Sequence, residues 1–315
     1  MAGSLSAQQR PATAPALLGL GAACGAGFLW GTGALVVNLL VQRHGQSPEN
    51  ISFWRFVVGA LALVLVFGRS AAVWRRLAPR APMLALAGAC MALYVTFWFL
   101  AIARIGAAVP TLIALCLPPV LVTLLAVARG REQLDAALAL WLVLALGGTT
   151  LVVMQHGGGV ASADTTALIA GVALSIGSAV LYAAFTLVSG GLSRTLGAGP
   201  STMALTIGAA GVTALGALYT PLAWPGSWAP EAWMLYLGLV TAALALLAFN
   251  WGAARLTPTT LTVATLVEPL TAVLLAAWLL GEWLGPWQWL GAAAMLAAIA
   301  GLGRREARRA GHGSF

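Results

Sequence analysis

Long apolar runs follow one another along the whole chain, separated by short stretches that hold the arginines and many of the prolines and glycines. A bilayer crossing needs about 20 mostly apolar residues. Ten runs approach or exceed that length: residues 16–41, 51–68, 82–103, 107–128, 136–155, 166–192, 201–222, 231–252, 257–280 and 284–303. They are uniformly apolar and lack the period-two alternation of an outer-membrane barrel. The pattern predicts an all-α membrane protein with ten transmembrane helices. Gly21-Ala22-Ala23-Cys24 loosely resembles a lipoprotein cleavage site, but Arg10 is the only basic flank before it and the apolar run continues to Val41. An uncleaved first helix is expected.

Composition sharpens this picture. Of the 315 residues 61% are hydrophobic and 8% charged, against about 25% charged in a soluble domain. That excludes a water-soluble enzyme. The net charge of +8 does not indicate nucleic-acid binding, because the basic residues form short clusters between apolar runs and not one continuous face. All sixteen of them are arginine. With a cytoplasmic amino terminus, thirteen fall on the cytoplasmic side, including Arg69, Arg75, Arg76, Arg129, Arg131 and the cluster from Arg304 to Arg309. Arg43 and Arg104 fall opposite, and Arg55 lies near the outer start of the second span. The positive-inside bias therefore predicts that both termini are cytoplasmic, in a multi-pass protein of the bacterial inner membrane.

The runs also repeat. Trp30 and Tyr182, Pro48 and Pro200, and Gly59 and Gly211 are each 152 residues apart. After a single-residue slip the shift is 151 for Ala103-Arg104-Ile105 and Ala254-Arg255-Leu256, for Pro118 and Pro269, and for Gly130 and Gly281. Five spans per half is an odd number, so the second half is expected upside down relative to the first. The organisation is then a tail at 1–15, a first five-helix repeat at 16–155, a linker at 156–165, an inverted second repeat at 166–303, and a basic tail at 304–315.

These features resemble the drug/metabolite transporter superfamily, in particular its EamA family. The residues that carry the resemblance are Ala254-Arg255-Leu256-Thr257-Pro258, Leu266-Val267-Glu268-Pro269-Leu270, Leu280-Gly281-Glu282 and the opening Leu29-Trp30-Gly31. The aromatic segment Tyr94-Val95-Thr96-Phe97-Trp98-Phe99 makes the chain similar to bacterial exporters of amino acids, including aromatic ones. The resemblance implies export of small metabolites by alternating access. The first half departs from the Glu-Pro motif, since Leu117 occupies the position matching Glu268.

Glu268 is the one acidic residue deep inside a predicted span. An ionised carboxylate there costs at least about 2.5–3.5 kcal/mol, so it should face protein or water. It is either a proton-coupling site or a structural group satisfying backbone freed by Pro269. Pro118, Pro119 and Pro269 each remove a helical hydrogen bond and predict kinks, either fixed bends or gating hinges. Gly21, Gly25, Gly27 and Gly31 keep spacings suited to close helix packing. Met91, Tyr94 and Trp98 share one helical face. With Trp30 and Tyr182 they line a central substrate cavity if those faces meet, or else pack as core. Asn38 and Asn250 are candidates for contacting substrate or for interhelical hydrogen bonds. Arg55 is expected to snorkel to the outer interface, with binding of a substrate carboxylate as the alternative.

No catalytic constellation can be assembled. His44, His156 and His312 lie in loops or the tail, no aspartate falls inside a span, and Ser175, Ser178 and Ser189 therefore lack a base. A cation channel would show acidic rings or a filter-like loop, and neither is visible. The three cysteines read as small buried hydrophobes. The sequence thus predicts a facilitative amino-acid exporter with a small-molecule substrate and the lipid bilayer as its partners. No cofactor or metal is implied, and a monomer is sufficient. A proton-coupled exporter of drugs or other metabolites using Glu268 is the alternative.

Overall fold

A computed structural model describes residues 13–106, 108–154, 165–280 and 284–312. The described residues are helical with short connections. The first half comprises α1 (Thr13–His44), α2 (Pro48–Phe67), a short α3 (Ala71–Leu77), α4 (Ala81–Ile105), α5 (Ala108–Ala128) and α6 (Ala136–Met154). The second comprises α7 (Thr165–Leu196), α8 (Ala198–Thr213), α9 (Trp228–Tyr236), a π-helical turn at Leu237–Leu244, α10 (Ala245–Ala253), α11 (Pro258–Ala264), α12 (Val267–Leu280) and α13 (Pro286–His312). Among the described residues nine helical segments are long and apolar enough to cross a membrane. The tenth expected span is α13, whose apolar middle is diluted by Gln288 and tryptophans at one end and by arginines at the other.

The bundle keeps an apolar core but, unlike a soluble protein, also presents large apolar side chains on its outside. Leu17, Leu61, Leu65, Val143, Ile169 and Leu239 are exposed, while Ser175, Thr186, Thr202, Thr206 and Thr262 are buried. The buried hydroxyls donate to carbonyls three or four residues back on their own helix, so they enter the interior with their hydrogen bonds made. Close helix contact then depends on small residues. A Cβ added at Gly27 would meet the Thr265 carbonyl oxygen at 2.8 Å, and one at Gly31 the Glu268 carbonyl oxygen at 2.5 Å. Gly21 and Gly25 face open space instead, so only half of the expected glycine stripe serves packing.

The two halves exchange equivalent partners. In one set α7 packs on α4 and α5, and α8 packs on α4. In the other α1 packs on α10 and α12, and α2 on the π turn. Contacts of α2 with α8, and of α6 with α13, join corresponding spans. The sequence repeat is therefore also a packing repeat.

Four elements show detail that the apolar pattern alone does not give. The run at 201–222 forms helix from Ala198 to Thr213 and a 3-10 turn at Ala214–Leu218, with no helix beyond. The run at 257–280 is broken at Thr265–Leu266. Pro269 has no N–H to give the Thr265 carbonyl, which accepts instead from the Glu268 N–H at 3.0 Å, so the break lies just upstream of the proline. By contrast α5 stays one continuous helix through Pro118 and Pro119. The π turn in the eighth span had no counterpart in the apolar pattern. The expected linker at 156–165 lies outside the described residues apart from Thr165, as do Gly281, Glu282 and most of the amino-terminal tail.

Candidate functional site

A cavity of about 140 Å³ lies between the halves. Of the residues singled out in the sequence, Trp30, Met91, Tyr94, Trp98, Tyr182 and Glu268 all line it. The spacing on α4 explains three of them: Met91, Tyr94 and Trp98 occupy successive turns of one face. Trp30 on α1 and Tyr182 on α7 come from positions related by the repeat. The rings form a connected wall, with Tyr94 and Tyr182 centroids 5.1 Å apart, Tyr182 6.3 Å from Phe249, and Trp30 5.5 Å from Phe249. Those separations are in the range of favourable ring pairs.

The polar tips of most rings are already bonded. Trp30 Nε1 donates to the Thr241 carbonyl at 3.0 Å, within the π turn. Trp98 Nε1 donates to Thr111 Oγ1 at 3.2 Å, and Tyr182 Oη lies 3.1 Å from Thr265 Oγ1. Ser178 Oγ donates to the Tyr94 carbonyl at 2.8 Å. Ser175 and Ser189 likewise bond backbone carbonyls. These bonds fix the wall without using the face that the rings present to the cavity.

Two charged groups remain. Glu268 sits where the ninth span is broken, beside Pro269. Arg55 on α2 also lines the cavity. Its guanidinium carbon lies 4.8 Å over the Phe56 ring, and its Nε is buried with no hydrogen-bond partner. The snorkelling expected for Arg55 is thus corrected: α2 turns this side chain into the cavity that Glu268 and Tyr94 also line. Arg55 and Glu268 are not in ion-pair contact, and among the described residues the Glu268 side chain forms no hydrogen bond. Sequence reasoning missed the inward turn because the hydropathy of one helix does not say which neighbour it faces.

Asn38 and Asn250 stand apart from the cavity. Asn38 is exposed, and Asn250, 1% exposed, donates to Thr202 Oγ1 at 2.9 Å, which is the interhelical bond. Neither Pro118, Pro119 nor Pro269 lines the cavity, yet the first two act on it indirectly. Their missing N–H groups leave the carbonyls of Ala114 and Leu115 without the usual helical donor, and Ala114 and Leu115 both belong to the lining.

The cavity is displaced toward one end of the bundle, that of Gly45 and Gly106, because its α4 and α5 residues lie in the halves of those helices flanking Gly106. At the opposite end a polar network joins the two halves. Glu132, 6% exposed, accepts from Thr259 Oγ1 at 2.8 Å and from Arg309 at 3.2 Å. Thr123 Oγ1 lies 2.9 Å from the same Thr259 hydroxyl. Glu306, 8% exposed, accepts from the Thr257 backbone N–H at 3.0 Å and from the Thr257 hydroxyl. Outside the spans, Arg305 donates to Asp135 at 2.6 Å. That bond, with the Leu138 N–H and the nearby arginine charges, holds the Asp135 carboxyl below its usual range.

The profile of the EamA-like transporter family matches this chain twice, over residues 17–154 and 169–304. A Bacillus subtilis (strain 168) protein described as the uncharacterized transporter YwfM is 30% identical over 285 residues, covering 87% of this chain and 90% of that protein. A solved crystal structure has the same fold, with a TM-score of 0.74 over 94% of this chain and 99% of its own, at 21% identity.

Proposed function

The chain belongs to the EamA-like transporter family, and from that premise we propose that it exports amino acids, aromatic ones included, and related small metabolites across the bacterial inner membrane. The observation that carries this reading is the aromatic cavity between the two repeats. Its size supports small substrates: an apolar cavity of about 150 Å³ accepts a benzene ring, whereas drug-sized ligands occupy about 300–1,000 Å³.

The route is alternating access. Two repeats of five spans each would lie inverted in the membrane, with both termini cytoplasmic, as the distribution of arginines supports. Exchange of equivalent helix partners between the halves supports a symmetric rocking motion about the cavity. The repeat lets one chain form the whole pathway, so a monomer suffices. Transport is facilitative, driven by the substrate gradient.

A second reading rests on the position of Glu268. A carboxylate that lines the cavity and lacks a hydrogen bond is placed to exchange a proton with the open side. Efflux of labelled phenylalanine from proteoliposomes, with and without an imposed pH gradient, separates the two. Equal rates in both conditions support facilitation. Acceleration by the gradient that disappears in Glu268→Gln would make this a proton-coupled exporter.

A further inference from the structure

The two charges in the cavity belong to different halves of the chain and point to a common ligand. Arg55 comes from α2 and Glu268 from the first turn of α12, and both line the same space without an ion-pair contact. A charge held within the spans is costly unless compensated. Direct pairing would be the simplest compensation, and the structure does not make it. Arg55 is held over Phe56, with a buried donor unsatisfied. Tyr94 lines the same cavity as both charges.

We infer that Arg55 and Glu268 form a binding site for the zwitterionic head of an amino acid, Arg55 receiving its carboxylate and Glu268 its ammonium, with the side chain against the Tyr94–Tyr182 wall. This rests on the reading of the chain as an amino-acid exporter and names the groups that select the substrate. A guanidinium suits a carboxylate because its planar donors can bond both oxygens. A carboxylate with no donor among the described residues suits an ammonium, which has three. A ligand with both charges satisfies both residues. One with a single charge leaves the other residue buried and unpaired, so discrimination comes from what the wrong ligand fails to cover. The arrangement also keeps the charge of the loaded and the empty cavity equal, which suits a carrier whose movement is not driven by voltage.

The test compares phenylalanine with analogues that remove one charge. In wild-type proteoliposomes, labelled phenylalanine uptake is measured with unlabelled phenylalanine, phenethylamine or 3-phenylpropionate as competitors. Phenylalanine is expected to compete at least tenfold better than either analogue, a difference of about 1.4 kcal/mol. Arg55→Gln should lose the preference over phenethylamine and keep that over 3-phenylpropionate, while Glu268→Gln should do the reverse. Equal shifts for all three competitors in both variants, or unchanged preferences, would overturn the inference. The methyl ester and the N-acetyl derivative of phenylalanine need no substitution: each should compete at least tenfold worse with the wild type, and parity would overturn the site even if the variants did not fold. Absence of phenylalanine uptake by folded wild type would overturn the amino-acid reading, and this site with it. Uptake with preferences untouched by either substitution would overturn the site alone.

Discussion

At Gly31 the fold leaves no room for a single carbon. A Cβ there would lie 2.5 Å from the Glu268 carbonyl oxygen and 2.6 Å from Thr271 Cβ, and the first of these atoms is backbone that cannot step aside. Gly31→Ala should therefore destabilise the protein by about 1–3 kcal/mol. Gly21, with nothing within 4 Å, should accept alanine without loss. Thermal melts of the two variants in detergent check both outcomes, and equal melting temperatures would contradict the tight packing of α1 on the broken span. The Asp135–Arg305 pair makes a different prediction. Because the folded Asp135 carboxyl is held below its ordinary value by Arg305, the pair contributes above the unfolded carboxyl pKa of about 3.9, and that contribution is lost as pH falls through the depressed value. Asp135 is exposed, so the effect is small. The melting difference between wild type and Asp135→Asn should be full at pH 7 and smaller at pH 3. What the sequence revealed about these residues followed locality: Met91, Tyr94 and Trp98 could be grouped because one helix sets their spacing. Arg55 could not, because its orientation depends on packing with other helices.

The ninth span shows how one missing donor reshapes an element. Pro269 announced a bend in the sequence, but the position of the break at Thr265–Leu266 depends on which donor replaces the lost one, here the Glu268 N–H. Pro118 and Pro119 have the same chemistry and leave α5 unbroken, so proline alone does not specify a break. The π turn at Leu237–Leu244 was invisible because its residues are as apolar as their neighbours; its trace is the Thr241 carbonyl, which accepts from Trp30. If the break is the hinge of a gating helix, Pro269→Ala should fuse α11 with α12 and raise the melting temperature by roughly 2–4 °C, the equivalent of about 1 kcal/mol in a chain of this size. Efflux should slow severalfold. A lower melting temperature with unchanged efflux would identify the break as a fixed bend needed for packing.

Across the molecule the repeat was readable from a constant shift between matching residues, and its packing counterpart appears in the exchanged helix pairs. The direction in which the cavity is displaced was not readable, because it depends on a network drawn from distant parts of the chain. Glu132 follows α5, Thr257 and Thr259 lie at the start of α11, and Glu306 and Arg309 lie on α13. Under alternating access, opening at this end would separate these groups into water, where their hydrogen bonds are replaced. Removing the carboxylates therefore weakens only the closed arrangement. Two of these bonds, from Thr259 and Arg309 to Glu132, join the first half of the chain to the second; hydrogen bonds to charged groups contribute about 1.5–3 kcal/mol each, so losing these two shifts the balance by roughly 3–6 kcal/mol. A shift of about 5.5 kcal/mol carries a two-state equilibrium from 1:99 to 99:1. Spin labels at the exposed positions Arg129 and Arg255, measured by double electron–electron resonance, should report a longer-distance population in Glu132→Ala/Glu306→Ala than in the otherwise unsubstituted labelled protein. That population should shrink when the substitutions are reverted singly. An unchanged distance distribution in the folded double variant would show that apolar packing, and not the carboxylate network, holds this end shut.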